Sequence, residues 1–281
     1  MRRLELETSW GKLLLVGGSR AGEGTVLLLP QFRLALDSGF PLRALVPMEH
    51  VVVSHGHTDH LAGLLPWAAQ RQLQNLGPAR VYALDPLASQ LRQLLQLGAA
   101  MENGNPYPVE VEVVSEGQNV HLRPDCMVRF FLTSHWTPTL GVGLSWTKRQ
   151  LKREFSGLPP ESIRELRQKG VEVSETVETP LLAYLADTGP EVLERQSWLA
   201  QVEVLVVECT FLKPTDRQRA RRFGHMHLED LRAWLPFARN RHWVLTHLSR
   251  RHRLGPGSKL IRQALVTEQG PRVHLCNVEW P

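Results

Sequence analysis

The sequence predicts an α/β fold of two mixed sheets with helices outside. Three observations carry that expectation. Short runs of leucine and β-branched residues are broken by glycine and proline turns. Strand and helix patterns alternate again in the later part of the chain, as they do when helices cover a sheet. Metal-competent side chains fall just past strand ends, where a rigid scaffold holds functional loops. At 281 residues the chain suits one such domain, and a single domain over 1–281 is expected.

The elements follow in order. KLLLVGG, TVLLLP and FRLALDSG read as short buried strands, and EHVVVSH is another that runs straight into a histidine cluster. LAGLLPWAAQRQLQNLG is helical, with Pro66 a kink or restart. ARVYAL is a strand. DPLASQLRQLLQLG is a helix with an aspartate cap, a first-turn proline and Gly98 to close it. VEVEVVS, NVHLRPDCMVRFFLTSH and TLGVGLSWT continue as strands, and LPPESIRELRQKG as a charged, exposed helix. TPLLAYLADT, VEVLVVECT and HWVLTH are strands, each ending on a polar residue. No internal repeat, low-complexity tract or linker stands out.

Composition excludes several classes. With 42% apolar and 22% charged residues the chain can bury a core and is not a disordered segment. No apolar run approaches the roughly 20 residues of a membrane span, and MRRLELETSWGK lacks the apolar stretch of a secretory leader. Cys126, Cys209 and Cys276 are far apart with no CxxC spacing. That removes a disulfide framework or thiolate zinc site and fits a reducing cytoplasm. The net charge is +5, yet eleven Lys/Arg face three acids between Phe211 and Arg253. A local cationic region of this kind suits a polyanion.

The stretch HGHTDH supplies His55, His57, Asp59 and His60 directly after a strand. In an extended turn His55 and His57 can grip one ion, while Asp59 and His60, at a helix start, can turn toward a second. Three later strands end on further donors: His135 after FFLTS, Asp187 after LLAYLA, and His247 after HWVLT. Together they complete two divalent sites with one shared carboxylate, the sensible bridge between cations about 3.5–4 Å apart. Zinc suits these ligands, and manganese or iron is chemically acceptable.

This order of donors resembles the metallo-β-lactamase superfamily and implies its αββα sandwich. Carried over by position, the resemblance implies that His55, His57 and His135 hold one metal and Asp59, His60 and His247 the other, with Asp187 bridging. Two more stretches are similar to the ribonuclease Z branch. Glu208 ends VLVVE and His225 lies in FGHMHLEDL, where the branch uses a Glu-oriented His as proton donor to a departing phosphodiester oxygen. His227 is the competing histidine, and either one could instead cap the helix LEDLRAW. LTHLSRRH is similar to the corresponding stretch of ribonuclease Z enzymes, and the LKREFSGLPPESIRELRQKGVEV segment and the opening GGSRAGEGTVLLLPQFRLALDSG look like the short, plant-type forms.

The resemblance implies a metal-dependent endoribonuclease acting at the 3′ end of precursor tRNA, working as a homodimer. Asp59, Glu208 and His225 are then the catalytic set, and Lys213, Arg221, Arg222, Arg250 and Arg251 the candidate phosphate-binding cations. The alternative is a hydrolase of the same fold acting on a small phosphodiester or other ester. Two departures stand out. The basic Gly/Pro-rich arm of long-armed bacterial forms is replaced by a shorter mixed-charge segment with Lys148, Arg149, Lys152 and Arg153. Ala186-Asp187-Thr188 stands where many relatives carry Gly-Asp-Thr.

Overall fold

The computed structural model describes residues 1–102 and 104–279. Two seven-stranded sheets stack face to face. The first runs, in spatial order, β1 (Arg2–Thr8), β2 (Gly11–Arg20), β3 (Gly24–Leu29), β4 (Leu34–Leu36), β5 (His50–Val52), β6 (Ala79–Ala83) and β7 (Val109–Val113). The second holds β8 (Asn119–Arg123), β9 (Cys126–Leu132), β10 (Leu140–Leu151), β11 (Ser174–Tyr184), β12 (Val204–Glu208), β13 (His242–Thr246) and β14 (Arg272–Leu275), again in chain order. In each sheet the first four strands pair antiparallel and the last four parallel. The two halves of the chain therefore repeat one strand plan, although no sequence repeat announces it.

Helices cover both outer faces, giving the αββα sandwich expected. Along β3, Leu27 and Leu29 face the second sheet, while Val26 and Leu28 pack under α2 (Leu64–Leu73) and α3 (Leu87–Glu102). Along β12, Val204 and Val206 face the first sheet; Leu205 and Val207 lie under α7 (Leu228–Trp234) and α8 (Leu254–Leu265). Burial on both faces is why these strands read as unbroken apolar runs rather than alternating ones.

The structure corrects several boundaries. The segment after HGHTDH is not one helix restarting at Pro66. A short α1 (Thr58–Leu61) ends at Ala62, and α2 starts at Leu64, two residues before the proline. Gly98 does not close α3, which runs on to Glu102. A Cβ there would strike the Leu65 side chain, so the glycine serves the close approach of α3 to α2. NVHLRPDCMVRFFLTSH is two strands, β8 and β9, folded back at Pro124–Asp125.

Strands β10 and β11 pair from Val142–Tyr184 out to Leu151–Ser174, with one register shift between Leu144 and Ser145. Their outer half is an exposed ribbon, with the exposed α4 (Pro160–Gln168) at its tip. The remaining helices are α5 (Glu191–Arg195) and α6 (Arg217–Phe223). Among the described residues no helix is long and apolar enough to cross a membrane.

Candidate metal centre

The donor-bearing loops meet at one rim of the sandwich. His55, His57, Asp59 and His60 follow β5 in the first sheet. His135, Asp187, Glu208 and His247 lie at or just past the ends of β9, β11, β12 and β13 in the second. Neither sheet holds the set alone. His55, His57, His135 and Asp187 bring ligand atoms within 4.8 Å of one another, and Asp59, His60 and His247 do the same. Asp187 stands between them. Its Oδ2 is 3.7 Å from His55 Nε2, and its Oδ1 is 3.4 Å from Nε2 of both His60 and His247. His247 Nε2 is also 3.4 Å from Asp59 Oδ2.

The rings are aimed by what their other nitrogens do. His55 Nδ1 lies 3.0 Å from the Ser54 hydroxyl, His60 Nδ1 2.7 Å from Asp37 Oδ2, and His247 Nδ1 3.1 Å from the Thr210 hydroxyl. His135 Nδ1 donates to the Gly224 carbonyl at 2.9 Å. Each Nε2 is thereby turned to the centre, and a fixed outer partner is what orients a metal-binding imidazole. His57 instead presents Nδ1, 2.9 Å from His55 Nε2.

A divalent cation fits this donor set. His135 Nε2 and Asp187 Oδ1 are buried, and neither makes a hydrogen bond among the described residues. Imidazole nitrogens with two carboxylates are the mixed N/O set that zinc and its neighbours take. Burial, with His60 close by, pushes His55 down to about 2, so its ring stays neutral and keeps a lone pair. Burial disfavours the charged form of Asp187, yet the surrounding His247 and His60 hold it well below the usual carboxylate range.

Asp37, not singled out from the sequence, is the hub of the first-sheet side. It is fully buried and accepts from Ser54 N–H at 2.7 Å, Ser54 Oγ at 2.9 Å, His60 at 2.7 Å and the Tyr184 hydroxyl at 2.5 Å. An acid just past FRLAL, at the end of an apolar run, was its only signal. Glu208 is the counterpart in the second sheet. Its Oε1 accepts from Thr188 N–H at 2.7 Å and from His225 Nδ1 at 2.9 Å, and Thr210 donates to its Oε2. Three residues of this rim, Asp37 (φ 60°), Ala186 (φ 51°) and His247 (φ 57°), have left-handed backbone. Such conformations cost non-glycine residues on the order of 1–2 kcal/mol and are held only where the surroundings enforce them.

The two histidines of HMH part company. His227 is fully buried and caps α7: its Nδ1 accepts from Glu229 N–H at 3.1 Å, and its Nε2 donates to the Lys213 carbonyl at 2.9 Å. His225 turns to Glu208, with its Nδ1 4.0 Å from Asp187 Oδ2. Burial works against its charge, but the Glu208 carboxylate raises it to about 9.

The cations divide similarly. Arg221 and Arg222 of α6 line a cleft of about 250 Å³ with His135 and His225. Lys213 and Arg251 are exposed, and Arg250 is engaged with Glu23 at 3.0 Å.

Comparison with known proteins agrees with this geometry. A family model described as "Beta-lactamase superfamily domain" matches residues 21–248. The chain is 28% identical over 257 residues to the chloroplastic tRNase Z of Arabidopsis thaliana, covering 90% of this chain and 71% of that protein. It is 32% identical over 165 residues to the nuclear ribonuclease Z of Triticum aestivum, covering 57% of this chain and 91% of that one. Among solved structures, the metallo-β-lactamase fold protein YhfI of Bacillus subtilis superposes with a TM-score of 0.62 at 16% identity, covering 95% of this chain and 96% of that one. The chain belongs to the beta-lactamase superfamily and, within it, to the ribonuclease Z family.

Proposed function

We propose that the protein is a metal-dependent endoribonuclease that cuts precursor tRNA at its 3′ end, a reading supported by its likeness to a tRNase Z and a ribonuclease Z of plants. The observation that carries the reading is the Glu208–His225 pair, 2.9 Å apart, set beside two His/Asp donor groups with Asp187 between them. Ester chemistry with a good leaving group has little use for such a donor. A ribose alkoxide needs one.

Two divalent ions, zinc in first place, would occupy the groups His55–His57–His135 and Asp59–His60–His247, with Asp187 between them. Bound there, they would supply Lewis acidity at the non-bridging phosphate oxygens and lower the pKa of an attacking water toward neutrality. The protein's own side chains do the rest. Asp59, fixed by the Gly22 N–H at 2.7 Å, orients the water. As water oxygen bonds to phosphorus, the bond from phosphorus to the 3′-oxygen breaks. His225 Nε2–H gives its proton to that oxygen while Glu208 holds Nδ1. The products are a 3′-hydroxyl on the tRNA and a 5′-phosphate on the trailer. In this reading Arg221 and Arg222, which line the cleft beside His225, hold flanking phosphates. Lys213, Arg250 and Arg251 extend the cationic surface around them, and a homodimer, which the family resemblance implies, completes the reading.

The test is cleavage of a 3′-extended precursor tRNA by metal-loaded protein, with His225→Ala alongside. A single cut next to the acceptor stem, slowed about 10²–10⁴-fold in the variant with RNA binding retained, is expected. Uncut precursor alongside hydrolysis of a small phosphodiester would remove the tRNA assignment and leave the metal chemistry.

A further inference from the structure

Trp136 follows His135 directly and is 68% exposed, on a chain where Trp67 and Trp243 are fully buried. Leaving an indole in water forfeits one of the largest apolar burials a side chain offers. The ring lies against the metal centre, 5.4 Å from the His57 ring and 6.0 Å from the His135 ring. Trp136 also lines the cleft that holds Arg221, Arg222 and His225.

Its position relative to His225 is set by backbone. The Gly224 carbonyl accepts from His135 Nδ1 at 2.9 Å. A Cβ at Gly224, whose φ is +63°, would come within 3.1 Å of the Trp136 nitrogen and 3.2 Å of the His135 Cα. The segment carrying the indole and the segment carrying the proton donor are therefore in contact, one residue from each functional side chain. An exposed flat ring and two guanidinium groups around one cleft form the combination that holds single-stranded nucleic acid: cations for the backbone, a π-face for the base.

We infer that Trp136 is a stacking platform for the unpaired base of the nucleotide whose 3′-oxygen departs, so that the enzyme positions its substrate by a base as well as by phosphates. The inference rests on the ribonuclease reading above. Trp136 is a positioning residue: it touches the base, not the reacting atoms. Because every base offers a π-face, the contact tolerates any sequence but requires that the base be present and unpaired.

The experiment compares wild-type, Trp136→Ala and Trp136→Phe proteins, each with its metal content verified, on 3′-extended precursor tRNA. The substrates carry an intact or an abasic nucleotide on the 5′ side of the cut, with an abasic nucleotide on the 3′ side as control. Trp136→Ala should raise KM for the intact substrate about tenfold, within the range of a base–aromatic stack. Trp136→Phe should recover most of it. The abasic substrate should cost the wild type a similar factor and the alanine variant almost nothing, since the two changes remove the same contact. Equal losses on intact and abasic substrates would show a merely structural role and overturn the inference, as would no loss at all, or coupling only to the 3′-side nucleotide. If the wild type leaves precursor tRNA uncut, the ribonuclease reading itself has failed.

Discussion

Asp37 gathers four hydrogen bonds in a fully buried place, and two of them reach the metal side through His60 and Ser54. Asp37→Asn keeps the shape but puts an amide where the site needs an acceptor. Metal affinity should fall about 10–100-fold, read by competition with a chromogenic chelator. Stability should drop by about 1–3 kcal/mol, the cost of a buried donor left without its partner. Every donor singled out in the sequence from His55 to His247 lies at one rim, because histidines and acids just past strand ends stand out locally. Asp37, Ser54 and Thr210 do not stand out in that way, since their role is to aim another residue's ring, and spacing carries no trace of it. The choice between His225 and His227 was open in the sequence for a similar reason: both precede one helix, and only the packed structure shows that His227 is spent on the cap.

Short α1 carries Asp59 and His60, and it sits where it does because Gly39 has no side chain. A Cβ on Gly39 would fall on the Asp59 carbonyl, backbone against backbone. Gly39→Ala should therefore push α1 outward, destabilise the fold by about 1–3 kcal/mol and weaken metal binding in the same titration. Strands were legible as elements because those buried on two faces must be apolar throughout, whereas helix ends depended on close approaches such as Gly98 on Leu65, which a local pattern cannot record. At the sheet edge, β13 and β14 bring His242 Nδ1 within 3.0 Å of His274 Nε2. Burial first, then His242 and two arginines, lower His274 to about 4 from an ordinary 6.5. A base whose folded pKa is depressed adds stability above its unfolded value and loses it as acid protonates the unfolded chain first. The loss thus runs from pH 6.5 down toward 4. In chelator-treated protein, the urea midpoint should fall between pH 7.5 and 4.5 more steeply for the wild type than for His274→Gln; parallel slopes would refute this.

At the scale of the whole molecule, the repeated strand plan has a chemical echo. The fourth strand of each sheet leads into an acid, a small hydroxyl residue and a glycine: Asp37-Ser38-Gly39 after β4 and Asp187-Thr188-Gly189 after β11. The sequence hid the repeat because the segments between corresponding strands differ in length. With donors drawn from both sheets, bound ions would hold the two halves together, and ligand binding to the folded state alone adds stability by mass action. Chelation should lower the melting temperature and zinc restore it, each in a single cooperative transition; an unchanged melting curve would show that the halves do not depend on the ions. The same division between sheets bears on how safely the cell can make this protein. Translation supplies HGHTDH early, but Glu208, His225 and His247 come late, and the rim closes only when β12 and β13 have docked. A chain still being synthesised therefore holds the first-sheet donors before their partners in the second sheet exist.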